Sequence, residues 1–165
     1  MGLFSKGPKE EPKNGLDIIP SAADIDASEM LGLPLAEYER DAKGPFQPYA
    51  AYSLSVQGKN AEAEEALQNI IANGDEPNQW LARMELGTMV FSSPGRKAEG
   101  IYLLIQCLGA PFIDVARNAA WNIQEILRMD GLPDRAKEYE DLAVALHSPM
   151  GMIVVAERLE EAGKC

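Results

Sequence analysis

Residues 77–109 read PNQWLARMELGTMVFSSPGRKAEGIYLLIQCLG and contain two apolar stretches separated by a short break. In each stretch apolar residues recur at intervals of three and four, the spacing of one face of an α-helix. They are Trp80, Met84, Gly87, Val90 and Phe91 in the first stretch, and Ala98, Ile101, Leu104, Ile105 and Leu108 in the second. The break, SSPG, holds a proline that cannot continue a helix and a glycine suited to a turn. The stretch therefore predicts an antiparallel helical hairpin.

Two small residues, Gly87 and Ala98, fall where the two predicted faces would meet. Glycine inside a helix costs about 1 kcal/mol relative to alanine, so its presence at position 87 indicates a packing requirement. A residue with little or no side chain lets two helix backbones approach closely. We therefore expect a close contact between the two helices at Gly87 and Ala98.

The second half of this unit has counterparts on both sides of it. Small or apolar residues occupy the same offsets after Ala63, Ala98 and Ala136, which lie 35 and 38 residues apart, except that His147 takes the last offset of the third copy. A proline follows each copy at the place where a new helix would begin. Such an internal repeat predicts a stack of helical hairpins.

Several segments resemble the tetratricopeptide-type helical repeat, and most of all its Sel-one-like subclass. The similarity is strongest in ARMELG (82–87), KAEGIY (97–102) and CLG (107–109). Weaker copies are GKNAEAEEAL (58–67) and DRAKEYEDLA (134–143). The resemblance covers roughly residues 48–147. It departs from the family near the usual leucine-glycine pair, which is replaced by Ala51 in the first copy and by Ala119, Ala120 and Trp121 in the third.

The predicted fold is all-α, and the resemblance implies a right-handed α-solenoid of about three antiparallel helical hairpins plus a C-terminal capping helix. The predicted helices are 48–56 and 61–73, the two halves of 77–109, 112–129 and 133–147, and the capping helix 150–162. We predict a disordered tail at 1–15, a capping or connecting region at 16–46 and the repeat domain at 47–165. In the connecting region, Leu31, Leu33, Leu35 and Tyr38 are expected either to cover the first hairpin or to contact a partner.

The chain is acidic, with 15 lysines and arginines against 26 aspartates and glutamates and a net charge of −11. This balance argues against nucleic acid as a partner, because phosphate binding requires clusters of basic residues. An acidic surface favours a basic protein partner, or it simply keeps the chain soluble. No apolar run approaches the roughly 18 residues of a membrane helix, and two cysteines make no disulfide framework. We therefore expect a cytoplasmic protein without stable membrane association.

Residues capable of catalysis do not form a recognisable pattern. His147 is the only histidine, and the sequence lacks a glycine-rich phosphate loop, paired CxxC motifs and a GxSxG elbow. Adjacent carboxylates such as Glu160 and Glu161 point in different directions on a helix and fit a solvated face. We predict that the protein is not an enzyme and needs no cofactor or metal.

A protein-binding scaffold is the leading functional hypothesis. In families that this chain resembles, the first helix of each hairpin lines a concave groove. The candidate groove residues are Tyr52 and Ser55 in the first copy, Met84, Thr88 and Phe91 in the second, and Arg117, Trp121 and Gln124 in the third. Core packing is the alternative interpretation for Phe91 and Trp121. Arg117 is the stronger candidate, because arginine is common at binding hot spots and one that faces a groove needs a partner or water.

Two other binding functions fit the same sequence. An acidic helical protein of this size is suited to act as an immunity protein or inhibitor that covers a basic toxin, with charge speeding association. A small export chaperone of the tetratricopeptide type would instead hold an extended segment of a secreted protein. The partner is another protein in each case. We expect a monomer or a weak homo-oligomer.

Overall fold

The computed structural model describes residues 15–25 and 47–146, and this part of the chain is all-α, as predicted, with no strand. Two short 3-10 helices, Leu16–Ile18 and Ala22–Asp24, precede six α-helices. The α-helices are α1 Gln47–Val56, α2 Asn60–Asn73, α3 Glu76–Phe91, α4 Lys97–Leu108, α5 Ile113–Met129 and α6 Pro133–Ala145. Residues 1–14 of the predicted tail 1–15 lie outside the described residues, as do the predicted cap residues Leu31, Leu33, Leu35 and Tyr38 and the predicted helix 150–162.

The helix boundaries follow local sequence signals. At the start of α3 the Asp75 carboxylate accepts hydrogen bonds from the Asn78 backbone N–H at 3.1 Å and from its side-chain amide at 2.8 Å. Pro77 occupies the first turn, where its missing N–H leaves no hydrogen bond unmade. Between α5 and α6, Gly131 adopts a φ of 74°, a left-handed conformation that glycine enters at little cost.

Each helix packs against the next one in the chain, and α3 also contacts both α1 and α5. The odd-numbered helices therefore lie side by side in one layer. Two salt bridges also join α2 to the start of α4, since the Arg96 guanidinium lies 2.7 Å from Glu64 on α2 and 2.7 Å from Glu99 on α4. This layer of α1, α3 and α5 provides the surface on which a site can be built.

The core consists of two clusters that meet at α3. The smaller cluster joins α1, α2 and α3 through Ala51, Leu67, Ile70, Ala82, Leu86 and Val90. The larger one joins α3 to α4, α5 and α6, and its residues from α3 are Leu81 and Met84. Helix α3 is therefore apolar on two sides, and each side packs into one of the two clusters.

Helices α3 and α4 approach each other closely at a pair of glycines, Gly87 and Gly100. A Cβ atom added to Gly100 would lie 2.5 Å from the Phe91 backbone nitrogen and 2.6 Å from the Gly87 carbonyl oxygen. The packing requirement predicted at Gly87 is thus confirmed, but its partner is Gly100 and not Ala98. Ala98 lies against Gly15 instead, where an added Cβ would come within 2.7 Å of the Ala98 Cα.

Residues 15–25 form a strap over the second helices of the array. The turn Leu16–Ile18 contacts α4, and Ala22–Asp24 contacts α6. Ile19 and Ala22 are buried in the larger core cluster. Arg135 donates a hydrogen bond of 2.8 Å to the Ile19 carbonyl, and the Tyr139 hydroxyl donates one of 2.8 Å to the Pro20 carbonyl. Residues 15–25 are thus anchored mainly on α4 and α6, two helices that lie far from them in the sequence.

Removing the Tyr139 hydroxyl tests how much its hydrogen bond to Pro20 stabilises the strap. Burial raises the pKa of Tyr139, so the hydroxyl keeps its proton and remains a donor. Tyr139→Phe removes only this hydrogen bond and is expected to cost about 1 kcal/mol of unfolding free energy, with faster proteolysis within 15–25. Tyr102→Phe, at an exposed position on α4, is the control. Equal urea midpoints and equal cleavage rates in the two variants would contradict the assignment.

Candidate functional site

A groove of about 340 Å³ crosses the layer formed by α1, α3 and α5. We call it the central groove. It is lined by Tyr52 from α1, by Met84, Glu85 and Thr88 from α3, and by Asn118, Trp121 and Asn122 from α5. Three helices that are consecutive in the layer, though not in the chain, therefore contribute to one surface.

A second, smaller depression of about 190 Å³ adjoins the central groove and shares Thr88 and Asn122 with it. We call it the side depression. Its other residues are mostly apolar: Phe91, Ser92, Leu104, Glu125, Ile126 and Met129. Together the two depressions offer an aromatic and polar compartment next to an apolar one.

Aromatic side chains mark the two walls of the central groove. Tyr52 is 40% exposed and Trp121 is 41% exposed, so part of each ring is open to the groove. Trp121 therefore lies at the surface of the groove, not in the core. Phe91 differs, since it is partly buried, packs against the larger core cluster and reaches only the side depression. Trp and Tyr in such positions are the residue types that dominate binding energy at protein interfaces.

The floor of the central groove is polar. The Asn122 amide donates a long hydrogen bond of 3.4 Å to the Thr88 hydroxyl, which itself donates to the Met84 carbonyl at 3.1 Å. The Asn118 side chain is exposed beside them. Amides of this kind can both donate to and accept from a peptide backbone.

Glu85 is the acidic group of the central groove. Its carboxylate makes no hydrogen bond or ion pair with any residue of 15–25 or 47–146, and burial raises the pKa of that carboxyl. Glu64 and Glu99 behave in the opposite way, because hydrogen bonds from Arg96 lower the pKa of both. The Glu125 carboxylate in the side depression lies 2.6 Å from Arg128. Among these glutamates Glu85 alone is both half-buried and without a described counter-charge.

Three of the eight predicted groove residues do not line either depression. Ser55 is half-buried on α1. The Arg117 guanidinium lies 2.7 Å from Asp114 on its own helix, and both side chains are mostly buried. Gln124 is 7% exposed, and its Oε1 atom has no hydrogen-bond partner among residues 15–25 and 47–146. The structure brings together Tyr52, Met84, Thr88, Phe91 and Trp121 and leaves these three aside.

The residues missed by the sequence prediction are Glu85, Asn118 and Asn122. Glu85 directly follows Met84, and the two asparagines are four residues apart beside Trp121. A helical spacing of four places Asn118 and Asn122 on one face, which is the signal that the sequence contained. The groove face of α5 thus runs through 118, 121, 122, 125 and 129, whereas Arg117 and Gln124 sit on the adjoining face.

Possible metal ligands are not grouped together in the described ranges. No three histidine, cysteine, aspartate or glutamate side chains within 15–25 and 47–146 are grouped so as to hold a metal ion. Burial raises the pKa of Cys107 to about 12, so this thiol is protonated and a poor nucleophile at neutral pH. None of the helices in this part of the chain has the length and apolar character needed to cross a bilayer.

The site defines a helical protein with an open groove that combines aromatic, amide and acidic side chains. Comparisons with known proteins give no assignment beyond this, since no family model, no curated protein and no solved structure matches the chain.

Proposed function

We propose that this protein is a non-enzymatic interaction module that binds a segment of another protein in the central groove. In this proposal the helices form a right-handed solenoid of the tetratricopeptide type, with α1 and α2, α3 and α4, and α5 and α6 as its three hairpins. The contacts of α3 with α1 and α5 support it, because stacked hairpins place their first helices side by side.

The observation that carries the proposal is the pair of half-exposed aromatic side chains facing one groove. Leaving Tyr52 and Trp121 in water forgoes the free energy of burying their rings, which a bound partner would recover. At about 340 Å³ the groove is near the lower end of ligand-pocket volumes, so it suits one or two side chains of a peptide. Asn118 and Asn122 supply hydrogen bonds for the peptide backbone.

Selection of peptides on the whole chain provides the test. A random dodecamer library displayed on phage is panned against the purified protein, and the affinity of the enriched peptide is then measured. Trp121→Ala is expected to weaken this peptide by about 2 kcal/mol, or roughly 30-fold in Kd, because it removes the larger aromatic wall. Tyr102→Ala on α4, which is 55% exposed and lines neither depression, is the matched control.

Circular dichroism establishes that both variants retain the helical fold. A peptide that binds Trp121→Ala as tightly as the unaltered protein would place the binding site elsewhere and refute the proposal. Equal losses for Trp121→Ala and Tyr102→Ala would refute it too, since an effect of that kind does not depend on the groove.

A further inference from the structure

We infer that the Glu85 carboxylate binds a cationic side chain, preferentially arginine, of the protein segment that occupies the central groove. The inference rests on the proposed function and specifies the chemistry of the partner: a basic peptide in which an arginine is followed or preceded by an apolar residue. The arginine pairs with Glu85, and the apolar residue enters the side depression.

The first observation is a carboxylate that lines the groove and has no counter-charge within the part of the chain that the structure describes. Glu85 lines the groove and has no ion pair with any described residue. The nearest arginine on the same helix is engaged elsewhere, because the Arg83 guanidinium lies 4.7 Å from the centroid of the Trp80 ring. The described residues that line the central groove include no lysine or arginine. A molecule that fills the groove can supply the cation that these lining residues lack.

The second observation is the free-energy cost of a charged Glu85 carboxylate that is partly buried without a counter-charge on a described residue. Partial burial removes water from a charged group, and the penalty is recovered only when a hydrogen-bonding partner of opposite charge arrives. Burial raises the pKa of Glu85, and no opposing charge on a described residue acts against it. A partner that covers the groove would exclude more water and strengthen the charge interaction.

The aromatic walls favour arginine over lysine. Trp121 and Tyr52 line the groove together with Glu85. A guanidinium stacks on aromatic faces and donates two parallel hydrogen bonds to a carboxylate, whereas an ammonium acts as a point charge. The apolar stem of the arginine would pack on the rings. Met129, which is 66% exposed at the side depression, offers the next contact to an apolar neighbour.

The partner is a protein segment and not a metal ion or a free amine. One carboxylate is a poor metal site, and no grouping of three possible ligands exists within the described ranges. A free amine would use Glu85 but would leave the side depression empty. Charge complementarity with an acidic groove in a chain of net charge −11 points to a basic segment.

The experiment pans the same dodecamer library against the full chain, against Glu85→Gln and against Glu65→Gln as a control at an exposed position on α2. Arginine is expected to be enriched at one position for the unaltered protein and for Glu65→Gln, and to lose its enrichment for Glu85→Gln. The selected peptide should bind Glu85→Gln about 10- to 100-fold more weakly. Replacing its arginine with alanine should cost a similar factor in the unaltered protein and much less in Glu85→Gln.

The outcomes separate this inference from the proposed function. If Glu85→Gln retains both the arginine preference and the affinity while Trp121→Ala loses the peptide, the inference fails and the groove remains the binding site. If the selected peptides contain no basic residue but still depend on Trp121, the inference fails and the proposed function stands. If neither substitution affects binding, or if no peptide is enriched, both the inference and the proposed function fail.

A stability measurement excludes misfolding as the cause of lost binding. Because the folded chain raises the pKa of Glu85, it holds that proton more tightly than the unfolded chain, and the unaltered protein gains stability as pH falls through the raised pKa. At pH 7 the charged form opposes folding, so Glu85→Gln should melt at the same temperature or higher. The difference should shrink in acid. The residues that line the groove with Glu85 from the neighbouring helices are Tyr52 from α1 and the uncharged Asn118, Trp121 and Asn122 from α5. A lower melting temperature for Glu85→Gln than for the unaltered protein at pH 7 would overturn the inference.

Discussion

Gly100→Ala is expected to destabilise the protein by about 3 kcal/mol, near the upper end of the usual cost of overpacking. The new Cβ would lie 2.5 Å from the Phe91 nitrogen and 2.6 Å from the Gly87 oxygen. Both neighbours are backbone atoms that no rotamer change can move. The clash is relieved only if α3 and α4 separate, which would also disturb the larger core cluster between them.

Urea unfolding followed by circular dichroism measures this effect, and two other glycines calibrate it. A Cβ on Gly87 would meet its neighbours at 3.1 to 3.2 Å, and one on Gly109 would meet only the Gln106 oxygen, at 3.5 Å. The expected order of destabilisation is therefore Gly100→Ala, then Gly87→Ala, with Gly109→Ala near zero. If Gly100→Ala unfolds at the same urea concentration as Gly109→Ala, the close approach of α3 and α4 is wrong.

Leu67→Ala is expected to cost about 3 kcal/mol, because it empties a fully buried position of the smaller core cluster. The loss should be local. This cluster joins α1 and α2 to α3, whereas the larger cluster joins α3 to the later helices. Amide hydrogen exchange should accelerate in α1 and α2 and stay close to that of the unaltered protein in α5 and α6.

Leu127→Ala provides the matched substitution in the larger cluster, where Leu127 is equally buried. It should accelerate exchange in α4, α5 and α6 and in residues 15–25. The same exchange pattern for Leu67→Ala and Leu127→Ala would mean that the two clusters unfold as one unit. A distinct pattern for each would show that α3 divides the array into two parts of separate stability.

The helices were predictable from the sequence because their signals are local. The spacing of apolar residues, Pro77 and Pro133 in first turns and the SSPG break all act within a few residues of the helix that they define. The all-α fold follows from such signals. Residues 15–25 carry no comparable pattern, and the sequence did not indicate that Ile19 and Ala22 belong to the same core as α4 and α6.

The groove was predictable only in part, because its position depends on which face of each helix meets a neighbour. Of the residues that the family resemblance implied, Tyr52, Met84, Thr88 and Trp121 line the central groove. Successive residues of a helix differ in direction by about 100°. Choosing Arg117 and Gln124 in place of Asn118 and Asn122 therefore turned the predicted surface of α5 away from the groove. A sequence pattern fixes a helix and its apolar side, but the rotation of that helix against its neighbours is set by packing.

The strap has a consequence for the cooperativity of the whole array. Its hydrogen bonds join residues 116 and 119 positions apart, whereas the helices otherwise contact neighbours close in the chain. A stack held by neighbour contacts alone can fray one helix at a time from its edge. Here α6 cannot peel away without also withdrawing Ile19 and Ala22 from the core and breaking the bond from Tyr139 to Pro20. The edge helix is thereby coupled to the beginning of the chain, and fraying at that edge becomes a larger, rarer event.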